Sequence, residues 1–391
     1  MSSVRRIDGM KTVLFIIDSL NCGGAEKSLV SLLPLLDYSQ MDVSLSIVRR
    51  GGVFEQYLPS EVRLIPFPKP GPVGRFFSNA LFSVSRRVLA ILGIKRHGAE
   101  VAWICKRPFV PKFKEHFDVA VSYQQGFPTY FLANKVNSDK KVAWINTDML
   151  NAGYRPHFNR QFYDRMDCVC TVSDPLSGRL SDAGFVSQDK IRVIKDILNV
   201  DVIKSLSDVP MDTFKTQKSI KILTVGRLAF PKNYRLAIET ADVLREKGLM
   251  FIWVFVGEGD ERELLETMIR QKGLQDQIIL AGLQLNPYPY FKSCDIYVQT
   301  SSFEGFGLTL SEAKILHKPI VTTNFPSAIN QIHDGKNGLI AEMTPKSIAE
   351  KILRLVNDHA LMETIIRETK NEQNRTAETE SVKVNQLLTE I

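Results

Sequence analysis

Residues 295–316 constrain the fold of this chain more than any other stretch. Asp295-Ile296-Tyr297-Val298-Gln299 is short and almost wholly apolar, as expected of a strand buried on both faces in a parallel sheet. Ser301-Ser302-Phe303-Glu304-Gly305-Phe306-Gly307-Leu308-Thr309-Leu310-Ser311-Glu312-Ala313 follows. Gly305 and Gly307 disfavour a continued strand and free the backbone for an unusual turn. From Leu308 the pattern becomes helical, through Leu310, Ala313 and Leu316. In open α/β sheets ligands bind at the carboxyl edge of such strands. The helix start offers unpaired N–H groups and a positive dipole end, which suit a phosphate. Glu304 falls in the loop and Glu312 about one turn into the helix. Ionised carboxylates only accept hydrogen bonds, and sugar hydroxyls are natural donors. A phosphate cradle between two such acids describes a nucleotide-sugar site. The competing reading is a loop charge and a solvated helix residue.

The same strand–turn–helix rhythm recurs along the chain. Apolar runs at 12–18, 43–48, 117–123, 141–145, 168–172 and 191–194 read as strands of a first domain. Runs at 220–225, 251–256, 278–280, 319–323 and 338–340 read as strands of a second. Doubly wound α/β sheets follow from that alternation. The polar, proline-marked segment 199–218 reads as a hinge. With 391 residues the chain is long enough for two cores. The expected boundaries are 1–200, 201–365, and a helical tail, 366–391.

Other loops carry candidate chemistry. Gly23 and Gly24 follow the first strand and precede a helical pattern, a turn that suits either an anion or structure alone. Arg227 and Lys232 lie five apart in the loop after 220–225, a two-pronged cation clamp or a solvated loop. Gly257-Glu258-Gly259 after 251–256 is by itself a weak dinucleotide hint.

Taken together, Phe-Glu-Gly-Phe-Gly-Leu…Glu-Ala around Glu304 and Glu312 resembles the signature of retaining glycosyltransferases with the GT-B fold, glycosyltransferase family 4 or "group 1" transferases. The resemblance covers most of the chain and is strongest from about 220 to about 355. It implies two Rossmann-like domains facing a cleft, the first binding acceptor and the second nucleotide sugar. By that resemblance Glu304 contacts the donor sugar, Glu312 the ribose, and the amides of Gly305, Phe306, Gly307 and Leu308 the diphosphate. Arg227 and Lys232 hold the diphosphate as catalytic cations, with Glu304 the third catalytic residue. Gly257 and Leu283 lie beside the nucleoside, and Gly23 and Gly24 face the phosphates. It further implies that the tail helix packs back on the first domain. Relatives carry a His that points at the donor sugar where this chain has Asn146, which can hydrogen-bond a sugar but cannot titrate.

Residues 1–200 hold roughly 27 Lys and Arg against 18 Asp and Glu, and the remainder roughly 23 against 25. The excess gathers at 70–117, where Arg75, Arg86, Arg87, Lys95 and Arg96 interleave with Phe, Leu, Val and Ile. Such a stretch fits a surface lying on anionic lipid; the alternative is a helix pair with a solvated basic side. No nucleic-acid module is apparent. No run of about 18 apolar residues is present to span a membrane. Five Cys without zinc spacing, and no secretory h-region, point to a cytoplasmic protein, peripheral at the inner face of the cell membrane.

The expected activity is retaining, metal-independent transfer from a UDP-sugar to a hydroxyl of a glycan or lipid-linked acceptor, in bacterial capsule or lipopolysaccharide assembly. No cofactor is needed beyond that co-substrate. Two rivals are a sugar-nucleotide epimerase and a catalytically silent GT-B subunit.

Overall fold

The computed structural model describes residues 9–21, 23–94, 96–210, 219–372 and 376–391. The chain forms two compact units, 1–197 with 376–391, and 198–375. The helix His359–Asn371 belongs to the second unit, with Ile365 in its core and Thr369 buried.

Among the described residues the first unit contains a seven-stranded sheet. Its strands are β1 (Lys11–Ser19), β2 (Met41–Arg49), β3 (Arg63–Leu64), β4 (His116–Ser122), β5 (Asn137–Ile145), β6 (Cys168–Thr171) and β7 (Ile191–Val193). All pair in parallel, in the order β3-β2-β1-β4-β5-β6-β7. The order reverses between β1 and β4, so the loops after those two strands flank a switch point. β3 has two residues, too few for any apolar period, and it escaped the sequence reading.

The second unit contains a six-stranded parallel sheet among its described residues. Its strands are β8 (Ile220–Val225), β9 (Phe251–Val256), β10 (Ile278–Gly282), β11 (Ile296–Gln299), β12 (Ile320–Thr323) and β13 (Leu339–Ala341), ordered β10-β9-β8-β11-β12-β13. Both faces are buried, as the apolar runs require. Ile222, Trp253 and Val298 join one core cluster, while their neighbours Leu223, Val254 and Tyr297 join the other. The switch point lies between β8 and β11.

The last helix, Thr376–Glu390, returns to the first unit. Asn385 Oδ1 accepts from the Asp37 N–H at 2.8 Å, Lys11 Nζ donates to the Thr389 carbonyl at 2.6 Å, and Glu380 accepts from the Lys195 N–H at 3.0 Å. The four described cysteines, Cys105, Cys168, Cys170 and Cys294, are buried free thiols.

Asp196, just past β7, is buried beside Ser28, whose hydroxyl also meets the Tyr123 hydroxyl at 3.0 Å and accepts from the Ile197 N–H at 3.3 Å. Burial pushes the Asp196 carboxyl up to about 7. The folded protein thus holds a proton that the unfolded chain releases near pH 4. The contribution is intact below about pH 4 and is lost as pH rises through about 7. Urea unfolding of the first unit should weaken by a few kcal/mol between about pH 5 and about pH 8, and Asp196→Asn should flatten that decline. An unchanged slope in the variant refutes the assignment.

Candidate active site

The site grows out of the β8/β11 switch point. The loop after β8 supplies Gly226, Arg227 and Lys232. The loop after β11 supplies Ser301 and Glu304. The two strands are hydrogen-bonded neighbours, so residues 72 apart in sequence meet. Lys232 Nζ forms an ion pair with Glu304 Oε1. The same oxygen accepts from Gln299 Nε2 at 2.8 Å and Ser301 Oγ at 2.7 Å. Three donors on one oxygen leave the carboxylate a single orientation. Lys232 and Glu304 are each less than a quarter exposed.

A second layer holds those donors. Gln299 Oε1 accepts from Thr309 Oγ1 at 2.9 Å and from the Tyr297 hydroxyl at 3.2 Å, so its amide cannot flip without breaking both contacts. Thr300 Oγ1 donates to the Lys232 carbonyl at 3.1 Å, and the Ser302 N–H to the Pro231 carbonyl at 2.8 Å, tying the two loops together. Tyr234 is buried and donates to the Gly226 carbonyl at 2.8 Å. Burial, and then the Glu304 carboxylate, push its hydroxyl far above the ordinary phenol range.

The β9 loop packs into the β8 loop with no room for a side chain. A Cβ at Gly257, whose φ is +151°, would lie 1.9 Å from the Gly226 carbonyl oxygen. A Cβ at Gly259 would lie 2.2 Å from the Leu228 carbonyl oxygen. Both glycines are therefore required for close approach of backbone to backbone.

After Glu304 the chain turns through Gly305 and Phe306 to Gly307, at φ +89°, and enters the helix Leu308–Ile315. Ser327 Oγ donates to the Glu304 carbonyl at 3.2 Å and Gln331 Nε2 to the Phe306 carbonyl, while Ser311 fixes Gln331 at 2.8 Å. Those carbonyls are engaged from the core side, and the helix start presents its first N–H groups. Glu312 is fully buried, and its Oε1 accepts from the Tyr288 hydroxyl at 3.0 Å. Arg227 and Leu283 are exposed, and Arg227 makes no ion pair among the described residues.

Of the expected site residues, the second unit thus carries Arg227, Lys232, Gly257, Leu283, Glu304 to Leu308 and Glu312. Gly23, Gly24 and Asn146 lie in the first unit. The Glu26 carboxylate folds back over Gly23, where a Cβ would lie 1.9 Å from Glu26 Oε2. Burial, first, raises its pKa. The Asn146 side-chain amide donates to the Tyr123 carbonyl at 2.9 Å, and its Oδ1 is buried without a hydrogen-bond partner. Gln299, Tyr234, Tyr288, Ser327 and Gln331 escaped the sequence reading as site residues. Gln299 alone left a signal, a polar residue closing an apolar strand.

One cluster of potential metal ligands occurs among the described residues, His116, Asp118 and Asp139. It sits at the amino-terminal end of β4 and along β5, away from the ligand edge, and Asp118 already accepts from the Thr12 N–H and hydroxyl at 2.7 Å each. The expected membrane residues Arg75, Arg86 and Arg87 are exposed. Arg96 is partly buried: its guanidinium pairs with buried Glu100 at 3.2 Å and stacks 4.7 Å over Phe158. Lys95 lies outside the described residues.

Two substitutions check this architecture by chemical denaturation. Gln299→Leu strands the Tyr297 and Thr309 hydroxyls and should destabilise the second unit by about 1–3 kcal/mol. Gly257→Ala should lower stability by about 2–3 kcal/mol or more, whereas Gly178→Ala, which meets open space in a helix, should be neutral or stabilising by about 0.5–1 kcal/mol. Equal effects of the two glycine changes contradict the packing argument.

Residues 210–372 match the family model described as "Glycosyl transferases group 1". The lipopolysaccharide core biosynthesis glycosyltransferase LpsE of Rhizobium meliloti is 25% identical over 310 residues, 75% of this chain and 88% of that protein. The N-acetylgalactosamine-N,N'-diacetylbacillosaminyl-diphospho-undecaprenol 4-alpha-N-acetylgalactosaminyltransferase of Campylobacter jejuni is 23% identical over 340 residues, 85% and 87% of the two chains. The crystal structure of Anabaena HepE in complex with UDP and glucose superposes with a TM-score of 0.73 at 16% identity, covering 97% of this chain and 100% of that one. The chain thus has the two Rossmann-like units of the GT-B fold, and residues 210–372, which carry the Glu304–Lys232 site, are similar to the group 1 glycosyl transferases.

Proposed function

We propose that the chain transfers a glycosyl group from a nucleoside-diphosphate sugar, UDP favoured, to a hydroxyl of a glycan or lipid-linked acceptor, with retained anomeric configuration. The observation that carries this reading is the Lys232–Glu304 pair at the β8/β11 switch point, with exposed Arg227 in the same loop. As the bond from anomeric carbon to phosphate oxygen breaks, negative charge develops on the diphosphate. Arg227, Lys232 and the N–H groups that open the helix Leu308–Ile315 can neutralise it as a preorganised electrostatic cradle. The acceptor oxygen bonds to the anomeric carbon, and its proton passes to the departing phosphate oxygen. Glu304, oriented by Gln299, Ser301 and Lys232, holds the sugar hydroxyls through its remaining lone pairs. Glu312 lies deeper, as the ribose contact, with Tyr288 against it. In this reading the two cations stand where other transferases use a divalent metal, and no cofactor takes part.

The names of the relatives support a place in bacterial surface-polysaccharide assembly. One belongs to lipopolysaccharide core synthesis and one to an undecaprenol-diphosphate-linked glycan. The proposal extends to an acceptor held at the inner face of the cell membrane, with Arg75, Arg86 and Arg87 toward it. No helix among the described residues is long and apolar enough to cross a membrane. One observation favours the second reading, a silent subunit: the Asn146 amide is engaged by the Tyr123 backbone and carries no titratable proton.

The test is nucleoside-diphosphate release from a panel of UDP- and GDP-sugars with lipid extract as acceptor. One donor should turn over. Lys232→Ala and Glu304→Ala should each lower kcat/KM by about 100-fold or more. Thermal protection by UDP without turnover of any donor would instead select the silent subunit.

A further inference from the structure

A trans peptide points its carbonyl and its N–H in opposite directions, so whatever holds the one aims the other. Two peptides of the loop after β11 are held in this way. Ser327 Oγ donates to the Glu304 carbonyl at 3.2 Å, and Gln331 Nε2 donates to the Phe306 carbonyl. Ser327 is 3% and Gln331 9% exposed, so both donors lie on the interior side. The Gly307 N–H therefore faces away from the interior. It makes no hydrogen bond among the described residues, and neither do the N–H groups of Leu308 and Thr309 that follow it. Gly307 is left-handed, and the helix Leu308–Ile315 runs on from it. Three successive N–H groups without a protein partner, at the positive end of a helix dipole, make a concavity for an anion.

Gln331 is itself fixed from several sides. Its Oε1 accepts from Ser311 Oγ at 2.8 Å, which leaves the donor end, Nε2, for the Phe306 carbonyl. A flipped amide would set one acceptor oxygen against another. The Gln331 N–H donates to the Ala328 carbonyl at 2.9 Å, and its carbonyl accepts from Asn337 Nδ2 at 3.1 Å and Lys314 Nζ at 3.4 Å. A Cβ built on Gly307 would lie 3.5 Å from Gln331 Nε2, so the amide packs against the residue whose N–H it aims. Turned over, the Phe306–Gly307 peptide would present a carbonyl oxygen where an anion is to be received.

We propose that Gln331, with Ser327 beside it, is a positioning residue for the diphosphate. It touches neither donor nor acceptor. By holding the Phe306 carbonyl back, it keeps the N–H groups of Gly307, Leu308 and Thr309 turned together toward the oxygens that take up the leaving charge. This rests on the reading of a nucleoside-diphosphate sugar at the β8/β11 switch point and adds what keeps the amide cradle in place. Loss of Gln331 should therefore cost recognition of the diphosphate and spare that of the nucleoside.

Calorimetry on the full chain compares UDP with uridine, GDP with guanosine, and inorganic pyrophosphate alone. Wild type runs beside Gln331→Met, Gln331→Glu and Ser311→Ala. Methionine matches the length of glutamine and donates nothing, glutamate keeps the shape and offers only acceptors, and Ser311→Ala leaves Gln331 in place with its amide free to turn. Wild type should bind one nucleoside diphosphate, and pyrophosphate, more tightly than the bare nucleoside. Each variant should weaken both anions by about tenfold or more and leave the nucleoside within about twofold. Thermal unfolding of the same samples shows which variants fold, and Ser311→Ala decides if the Gln331 variants do not. Unchanged affinity for both anions overturns the proposal. Equal weakening of diphosphate and nucleoside also overturns it, since that is the mark of a structural role. Wild type that binds pyrophosphate through Gln331, but neither UDP nor GDP, supports the cradle and overturns the nucleotide reading. Wild type that binds none of these probes overturns both.

Discussion

One oxygen atom, Glu304 Oε1, receives Lys232, Gln299 and Ser301. Its surroundings explain why the second unit is built as it is. A carboxylate this shielded keeps a fixed position only if its donors are themselves fixed. Lys232 is held through its own carbonyl by Thr300, and Gln299 through its oxygen by Thr309 and Tyr297. The β8 loop that carries Lys232 is pinned by Tyr234 and by two glycines of the β9 loop. The order β9-β8-β11 brings these loops to one edge. Had β8 and β11 not been neighbours, Lys232 and Glu304 would sit on different loops with nothing between them.

This hierarchy sorts what the sequence disclosed from what it withheld. Both sheets were legible, because strands buried on both faces are runs of apolar residues and their ends are marked by glycine and polar turns. Arg227, Lys232, Glu304 and the glycines were legible through the motifs that resemble a known family; taken one by one, each was equally open to a solvated or structural reading. Gln299 was legible only as an anomaly. Its role depends on which hydroxyls the fold aims at it, and those come from Tyr297, Ser301 and Thr309. Tyr234 and Ser327 gave no signal, since a tyrosine or a serine in a helix is ordinary until its partners are known. β3 was invisible for a simpler reason: two residues have no period.

In the basic stretch, composition does not distinguish cations held by the fold from cations left exposed. Arg96 counts as one more cation in sequence, but Glu100 holds it, and Glu100 also accepts from the Arg155 N–H at 2.8 Å and Asn159 Nδ2 at 2.7 Å. A buried carboxylate with that many partners makes Arg96 part of the packing. The apolar residues of the same stretch divide as well. The reading by helical spacing found an amphipathic helix, yet the inner side is formed largely by glycine and serine, and the larger side chains face out.

The two halves of the chain also distribute charge differently, with a marked basic excess before residue 200 and near balance after it. A global field from the second unit is therefore no help in attracting a diphosphate. Screening at physiological salt extends about 8 Å, so only cations within roughly that distance act on a bound anion. Arg227 and Lys232 satisfy that condition for any anion seated over the β8 loop, whatever the net charge of the unit. Lys232 differs from Arg227 in being already paired. Its ammonium has three donors, of which Glu304 takes one, so it can hold the carboxylate and an incoming oxygen together. A lysine so placed links the group that orients a sugar to the group that receives the leaving charge. An arginine there would hold its five donors in one plane, so it could bridge only oxygens that lie in that plane, whereas the ammonium rotates to suit both.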